Sequence, residues 1–241
     1  MRWIYLSPHL DDAIFSCGGI IFEQRKAGIS VEIWNWMSGI PSADMPLSYL
    51  ARSVHAEWGL ASAKEVLDCR LAEDHLAVKR VDASSRYFDF LDCIYRHDKL
   101  SSPLYTDDIF VPPHKADDAL VPQIAKRMQE NLHPDDVVVC PLTIGNHPDH
   151  VIVRRAAEEM GRPLLYYADI PYALWYPEQL AEITEDVEAE IYSVSEEGLR
   201  VWQEAASAYA TQLTVLFGGE EMMKKALKLN WRAKQYIQLF R

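Results

Sequence analysis

Residues 3–6 (WIYL) are a short apolar run, residues from about Asp12 to Ala27 are amphipathic and close at Gly28, and residues 31–36 (VEIWNW) alternate and are rich in β-formers. Strand, helix, strand in that order is a βαβ opening, which commits the chain to parallel strands with a crossover helix packed on the sheet. A second run agrees with it. VVVC at 137–140 is continuous, mostly β-branched, and bounded by HPDD at 133–136 and by Pro141. Such a run suits a strand covered on both faces and is expected at the centre of a parallel sheet.

The rest of the chain continues the alternation. Helices are predicted at about 47–67, 85–97, 115–131 and 149–160, the last ending at Gly161; Pro103, Pro112 and Pro113 mark loops around a short extended piece at 108–111. LLYY (164–167) reads as a strand, DIPYALWYP (169–177) as a loop, and EIYSV (190–194) as a late or edge strand. Residues 195–216 read as a long helix opened by Ser195 with Glu196 and Glu197 in its first turn. The expected fold class is α/β, a Rossmann-like, mostly parallel sheet with helices on both faces. At 241 residues the whole chain, 1–241, is expected to be a single domain.

Thirty-six acids against 24 bases give a net charge of -12, a field that repels phosphate backbones and anionic lipid, so nucleic acid and membrane are not expected partners. The apolar run behind Arg2 is too short for a signal peptide or a membrane span. Cys17, Cys69, Cys93 and Cys140 are widely spaced with no CxxC, and read as free thiols of a reducing cytoplasm. No GxGxxG or Walker pattern follows the first strand, which argues against a dinucleotide cofactor.

Ligands of open α/β sheets bind beyond the carboxyl ends of the strands. Two polar groups fall there: His9, Asp11 and Asp12 in SPHLDDA after the first strand, and His147, Asp149 and His150 in HPDH after VVVC. HPDD at 133–136 precedes its strand and reads as a turn at the opposite edge. His9 and Asp12 are three apart, as are His147 and His150, so each pair can face one way at a helix start. Caps alone explain either motif singly, but caps do not need three histidines. Two imidazoles and one carboxylate with an open fourth position form the usual catalytic zinc set, although iron, cobalt or manganese can use the same ligands. Zinc lowers the pKa of bound water to about 7, and Asp11, beside Asp12, is free to take the proton.

These residues carry a resemblance. SPHLDDAIFSCGG (7–19), LDCIYR (91–96), PLTIGNHPDH (141–150), YYADIPYA (166–173) and AYATQLTVLF (208–217) resemble motifs of the PIG-L/LmbE family of zinc-dependent de-N-acetylases. The resemblance implies removal of an acetyl group from an N-acetylglucosamine-type conjugate, with a small-molecule substrate. It makes His9, Asp12 and His150 the metal ligands and Asp11 the general base. His147 becomes the residue that protonates the amine or steadies the oxyanion, and Asp149 the acid that orients it. Asp92 matches an acid near the sugar site, Arg52 is the nearest match to an arginine that grips substrate, and Tyr172 lies in an aromatic loop suited to stacking on a sugar. Leu10 and Ala13 stand where the commonest motif has proline and glutamate, changes that touch neither ligand nor base. A zinc amidase acting on a non-sugar or thiol conjugate, and a silent metal- or sugar-binding module, are the rival readings. Assembly into a homo-oligomer is compatible with all three.

Overall fold

Seven strands hydrogen-bond side by side in a computed structural model that describes residues 1–232 and 235–241. They are β1 (Arg2–Ser7), β2 (Ser30–Asn35), β3 (Ser84–Tyr87), β4 (Val137–Pro141), β5 (Leu165–Tyr167), β6 (Ala189–Ser193) and β7 (Tyr236–Phe240), in the spatial order β3-β2-β1-β4-β5-β7-β6. The first five are parallel; β7 runs antiparallel to β5 and to β6. β4 is central and β6 lies at an edge, as the sequence predicts. The chain travels outward from β1 to β3 and then returns to β4 on the other side of β1, so β1 and β4 are neighbours, with Trp3 opposite Val137. A crevice opens at such a reversal, where the loops after the two strands part.

Alternate residues of each strand feed two cores. Trp3, Tyr5, Ile33 and Val139 face helices α1 (Asp12–Lys26), α3 (Ala63–Arg80), α8 (Glu196–Ala206) and α10 (Glu220–Arg232), while Ile4, Leu6, Trp34 and Val138 face α4 (Leu120–Asn131) and α5 (Pro148–Glu158). Both faces are buried, which is why these strands read as apolar runs. α1 and α8 approach closely at Gly18, where an added Cβ would stand 2.5 Å from Trp202. The Trp202 indole donates to the Ile14 carbonyl at 2.7 Å, so the glycine admits a ring that also ties the helices together.

Several boundaries differ from expectation. The helix foreseen at 47–67 is two, α2 (Tyr49–Glu57) and α3, parted by Gly59 at φ +70 and by Ser62, whose hydroxyl caps α3. The stretch 85–97 is not helical: it holds β3, a polar edge strand, and a single 3-10 turn at Cys93–Tyr95. Residues 109–111 form bends, so 108–111 is not an extended piece. The aromatic loop contains the short helices α6 (Tyr172–Trp175) and α7 (Pro177–Ile183). The long helix breaks at Ser207–Tyr209 into α8 and α9 (Ala210–Phe217), and the Tyr209 hydroxyl bonds the Leu10 carbonyl and Asp74. HPDD at 133–136 is a turn, its Asp136 accepting from the His133 backbone N–H and pairing with Arg2 at 2.7 Å. No helix among the described residues is long and apolar enough to cross a membrane.

Candidate active site

The loops that leave β1 and β4 reach each other across the crevice through their side chains. His9 stands in the β1 loop, Asp12 opens α1, and His150 lies in the first turn of α5. The Asp12 carboxylate sits between the two imidazoles: its Oδ2 is 3.4 Å from His9 Nδ1 and its Oδ1 is 3.3 Å from His150 Nε2. Asp12 Oδ2 also accepts the His9 backbone N–H at 2.7 Å, which fixes the carboxylate across the turn. The Asp11 side chain makes no cap hydrogen bond to α1, so simple capping does not account for SPHLDDA.

The far nitrogen of each of these two histidines is held by a carboxylate. His9 Nε2 donates to Asp149 Oδ2 at 2.9 Å, and His150 Nδ1 donates to Asp169 Oδ1 at 2.7 Å. Histidines that bind metals are oriented this way, with the outer N–H on an acid and the inner nitrogen free. His150 Nε2 is buried with no hydrogen-bond partner among the described residues, an orphaned atom whose chemistry a cation would satisfy. Nitrogens of His9, His147 and His150 also lie within 4.8 Å of one another. Donor type, burial and outer support therefore fit a divalent transition metal.

Around this cluster the charges sort sharply. Burial alone would raise Asp12, but the His150 and His9 imidazoles hold it well below the usual carboxylate range. Burial pushes Asp11 up, while the Arg70 guanidinium, 3.4 Å away, draws it back. Burial would raise Asp149 as well, yet Arg96 and His9 keep it strongly depressed. His147 is driven well below its ordinary value by burial and by the neighbouring His9. As the N-cap of α5 it accepts the Asp149 backbone N–H on Nδ1 at 3.2 Å, which leaves Nε2 to carry the proton. It lines the cavity as a neutral imidazole.

Two expected placements need correction. Asp149 does not seat its carboxylate on His147: that group serves His9, Arg96 and the Cys93 backbone N–H. At the first turn of α5 it is the Asp149 backbone N–H that bonds His147 Nδ1, while its carboxylate is committed to other donors. Arg52 is exposed, bonds the Leu47 carbonyl, and does not line the cavity. Arg70 stands there instead, its guanidinium 5.1 Å from the Trp58 ring. The break after α2 shifts the register, so the inward-facing arginine belongs to α3.

Asp92 and Tyr172 do line the cavity. Asp92 Oδ2 is 3.7 Å from His9 Nε2, and its Oδ1 caps the 3-10 turn at Ile94. The buried Tyr172 ring lies 5.7 Å from that of His150, while Trp175 points outward at 43% exposure. The cavity, about 160 Å³, has acids and histidines at its floor and an apolar wall of Val54, Trp58, Ile109, Val215 and Leu216. Three residues of the site escape the sequence reading. Asp169 carried a signal, being an acid directly beyond the C-end of β5; Arg70 and Arg96 had none that spacing reveals.

The family described as PIG-L, GlcNAc-PI de-N-acetylase, matches residues 4–160. The 2'-N-acetylparomamine deacetylase of Niallia circulans is 30% identical over 238 residues, covering 92% of this chain and 84% of that protein. Among solved structures, a zinc-inhibited form of teicoplanin deacetylase superposes with a TM-score of 0.83 at 27% identity, covering 100% of this chain and 97% of that one. The A40926 pseudoaglycone deacetylase gives 0.75 at 29%, over 99% and 96%. Since the matched stretch runs from β1 through α5 and so takes in both histidine loops with the strands that carry them, the chain belongs to the PIG-L family.

Proposed function

We propose that this protein is a metal-dependent hydrolase that removes an N-acetyl group from an amino-sugar conjugate, the whole chain 1–241 working as one domain. The observation that carries the reading is the Asp12 carboxylate between His9 and His150, open to a cavity that Asp11 and His147 share. His9, Asp12 and His150 would hold the ion, and zinc suits two imidazoles and a carboxylate best. When bound, such an ion acidifies water and polarises an amide carbonyl.

The chain's own residues do the rest. Asp11 takes the proton of the attacking water, and Arg70 holds its carboxylate in place. His147 Nε2–H donates to the oxygen that gains charge as the carbonyl becomes tetrahedral. The proton Asp11 has accepted returns to the nitrogen as the C–N bond breaks, leaving a free amine and acetic acid, which ionises to acetate by giving its proton to solvent. Asp92 and Arg70 supply polar contacts for a sugar, and Tyr172 and Trp58 supply flat apolar surface. Curated relatives that act on an acetylated aminoglycoside, and structural neighbours that act on glycopeptides, support a sugar conjugate as substrate. Four free cysteines, three of them buried, suit a reducing cytoplasm, where we place the protein.

The test is acetate release by zinc-loaded protein from a panel of N-acetylated amino sugars that includes 2'-N-acetylparomamine and N-acetylglucosamine glycosides. Release that disappears with a chelator and returns with metal is expected. Loaded protein that releases acetate from none of them, or releases it equally after stripping, overturns the proposal.

A further inference from the structure

Beside His147 lies a thiol for which the proposed reaction has no use. Cys93 is fully buried, and its Sγ stands 4.0 Å from His147 Nε2. The Asp149 carboxylate completes a trio whose donor atoms all lie within 4.8 Å of one another. Those donors are one thiol, one imidazole nitrogen and one carboxylate oxygen, a set that favours zinc, cadmium or cobalt over magnesium or calcium. Bond lengths of about 2.0–2.3 Å imply donor separations of roughly 3.3–3.8 Å in a tetrahedral site, so a modest closing of the side chains suffices.

The geometry points to a second, inhibitory metal site formed by Cys93, His147 and Asp149, next to the His9, Asp12 and His150 cluster. Charge allows it. Among the described residues, Asp11, Asp12, Asp92, Asp149 and Asp169 face two guanidiniums, Arg70 and Arg96, so one divalent ion leaves the surroundings still net negative. His147 lines the cavity and Cys93 Sγ stands 4.0 Å from its Nε2, so an ion would reach the trio by way of His147. On binding, the thiol proton leaves to solvent and a thiolate–metal bond forms; the His147 proton shifts from Nε2 to Nδ1, breaking the bond Nδ1 accepts from the Asp149 backbone N–H, and the freed Nε2 becomes a ligand. The second ion therefore binds after the first and more weakly, because it must ionise a buried thiol, reverse the His147 tautomer and loosen the contact of Asp149 with His9. Its consequence for turnover rests on the deacetylase reading: with metal on Nε2, His147 has no Nε2–H to offer the oxyanion, so excess metal inhibits.

The experiment titrates metal-free protein with cobalt, followed by absorption, and in parallel follows acetate release against zinc concentration. We expect a first equivalent without cobalt–thiolate charge-transfer absorption and a second that brings it in. Activity should rise with the first equivalent of zinc and fall with excess. Cys93→Ala should lose the charge-transfer absorption and the second equivalent, and should keep its activity in excess zinc. A wild-type protein that shows no thiolate absorption in excess cobalt, or shows it with the first equivalent, overturns the site, as does thiolate absorption that survives in Cys93→Ala. The cobalt measurement on wild type stands even if Cys93→Ala does not fold. It also stands if no acetylated sugar proves to be a substrate, so failure of the site and failure of the reaction can be told apart.

Discussion

Asp149 Oδ2 lies 2.9 Å from His9 Nε2, and Arg96 grips the other oxygen of the same carboxylate, so the acid of HPDH supports the histidine of SPHLDDA across the crevice. The two loops are thereby joined by a charge-assisted bond inside the protein, where such bonds are strong and costly to break. Asp149→Asn should consequently weaken metal affinity by about 10–100-fold, the usual effect of removing the outer partner of a metal-bound histidine. Chelator competition measures it. If Asp149 instead served His147 alone, affinity would stay constant and only turnover of the loaded protein would fall.

Asp11 is buried beside Arg70 and takes no part in holding the two imidazoles. Asp11→Asn should keep the bound metal and lose turnover by about 10²–10⁴-fold, the range for a positioned acid or base. His150→Ala, by contrast, should lose the metal itself. Metal content and kcat of the same samples separate the two outcomes, and full turnover in metal-replete Asp11→Asn protein removes Asp11 from the reaction.

Arg70 and Arg52 make a matched pair for testing which guanidinium matters. Arg52 is exposed and bonds a backbone carbonyl of its own segment, so Arg52→Ala should change stability by no more than about 0.5 kcal/mol and leave kcat/KM alone. Arg70→Met removes the cation beside Asp11 in the cavity, and kcat/KM should fall by about tenfold or more. Equal effects of the two substitutions on kcat/KM would contradict the placement of Arg70.

The contrast between those arginines shows what the sequence could and could not disclose. β1, β4 and the loops after them were readable because an apolar run and the polar motif at its end are both local features. Arg70 was not, because its orientation depends on where the chain breaks between α2 and α3, and the apolar spacing of Leu50, Val54 and Trp58 runs straight into that break. β3 is four residues of SSRY at the sheet's edge, held by pairing with β2 and lacking any apolar period. β7 did carry a period-two signal, with Ile237 and Leu239 buried, but a strand that inserts antiparallel between β5 and β6 is defined by partners far away in the chain. Asp169 sits in the middle ground: it lies just past β5, and only the nearness of His150 shows what it does.

Without metal, the acids around the cluster keep protons on its histidines. Burial alone would lower His150, but Asp12 and Asp169 raise it to about 9, and Asp12 and Asp149 likewise raise His9 well above its ordinary value. Both imidazoles are then charged at neutral pH, and each must lose a proton to bind an ion. Metal uptake near pH 7 should release about two protons, and apparent affinity should climb with pH until about 9. Calorimetry in buffers of different ionisation enthalpy counts the protons. Uptake without proton release at neutral pH would show the imidazoles to be neutral beforehand.

HPDD at 133–136 differs from HPDH in role, and stability against pH exposes the difference. Asp136 bonds both the Arg2 guanidinium and the His133 backbone N–H, and lies at the entry to β4, outside the cavity. Burial by itself would raise its pKa, but these donors more than offset that and hold it below the ordinary carboxylate value. A carboxylate depressed on folding contributes stability that is present above its unfolded pKa, near 3.9, and is lost as the pH falls through the folded value. Asp136→Asn should therefore cost about 1–3 kcal/mol at neutral pH, and the gap to wild type should close progressively in acid below about pH 4. Metal content and kcat should stay unchanged. Denaturant unfolding at a series of pH values reads the first effect, and a variant that kept its stability but lost metal would move this motif into the active site.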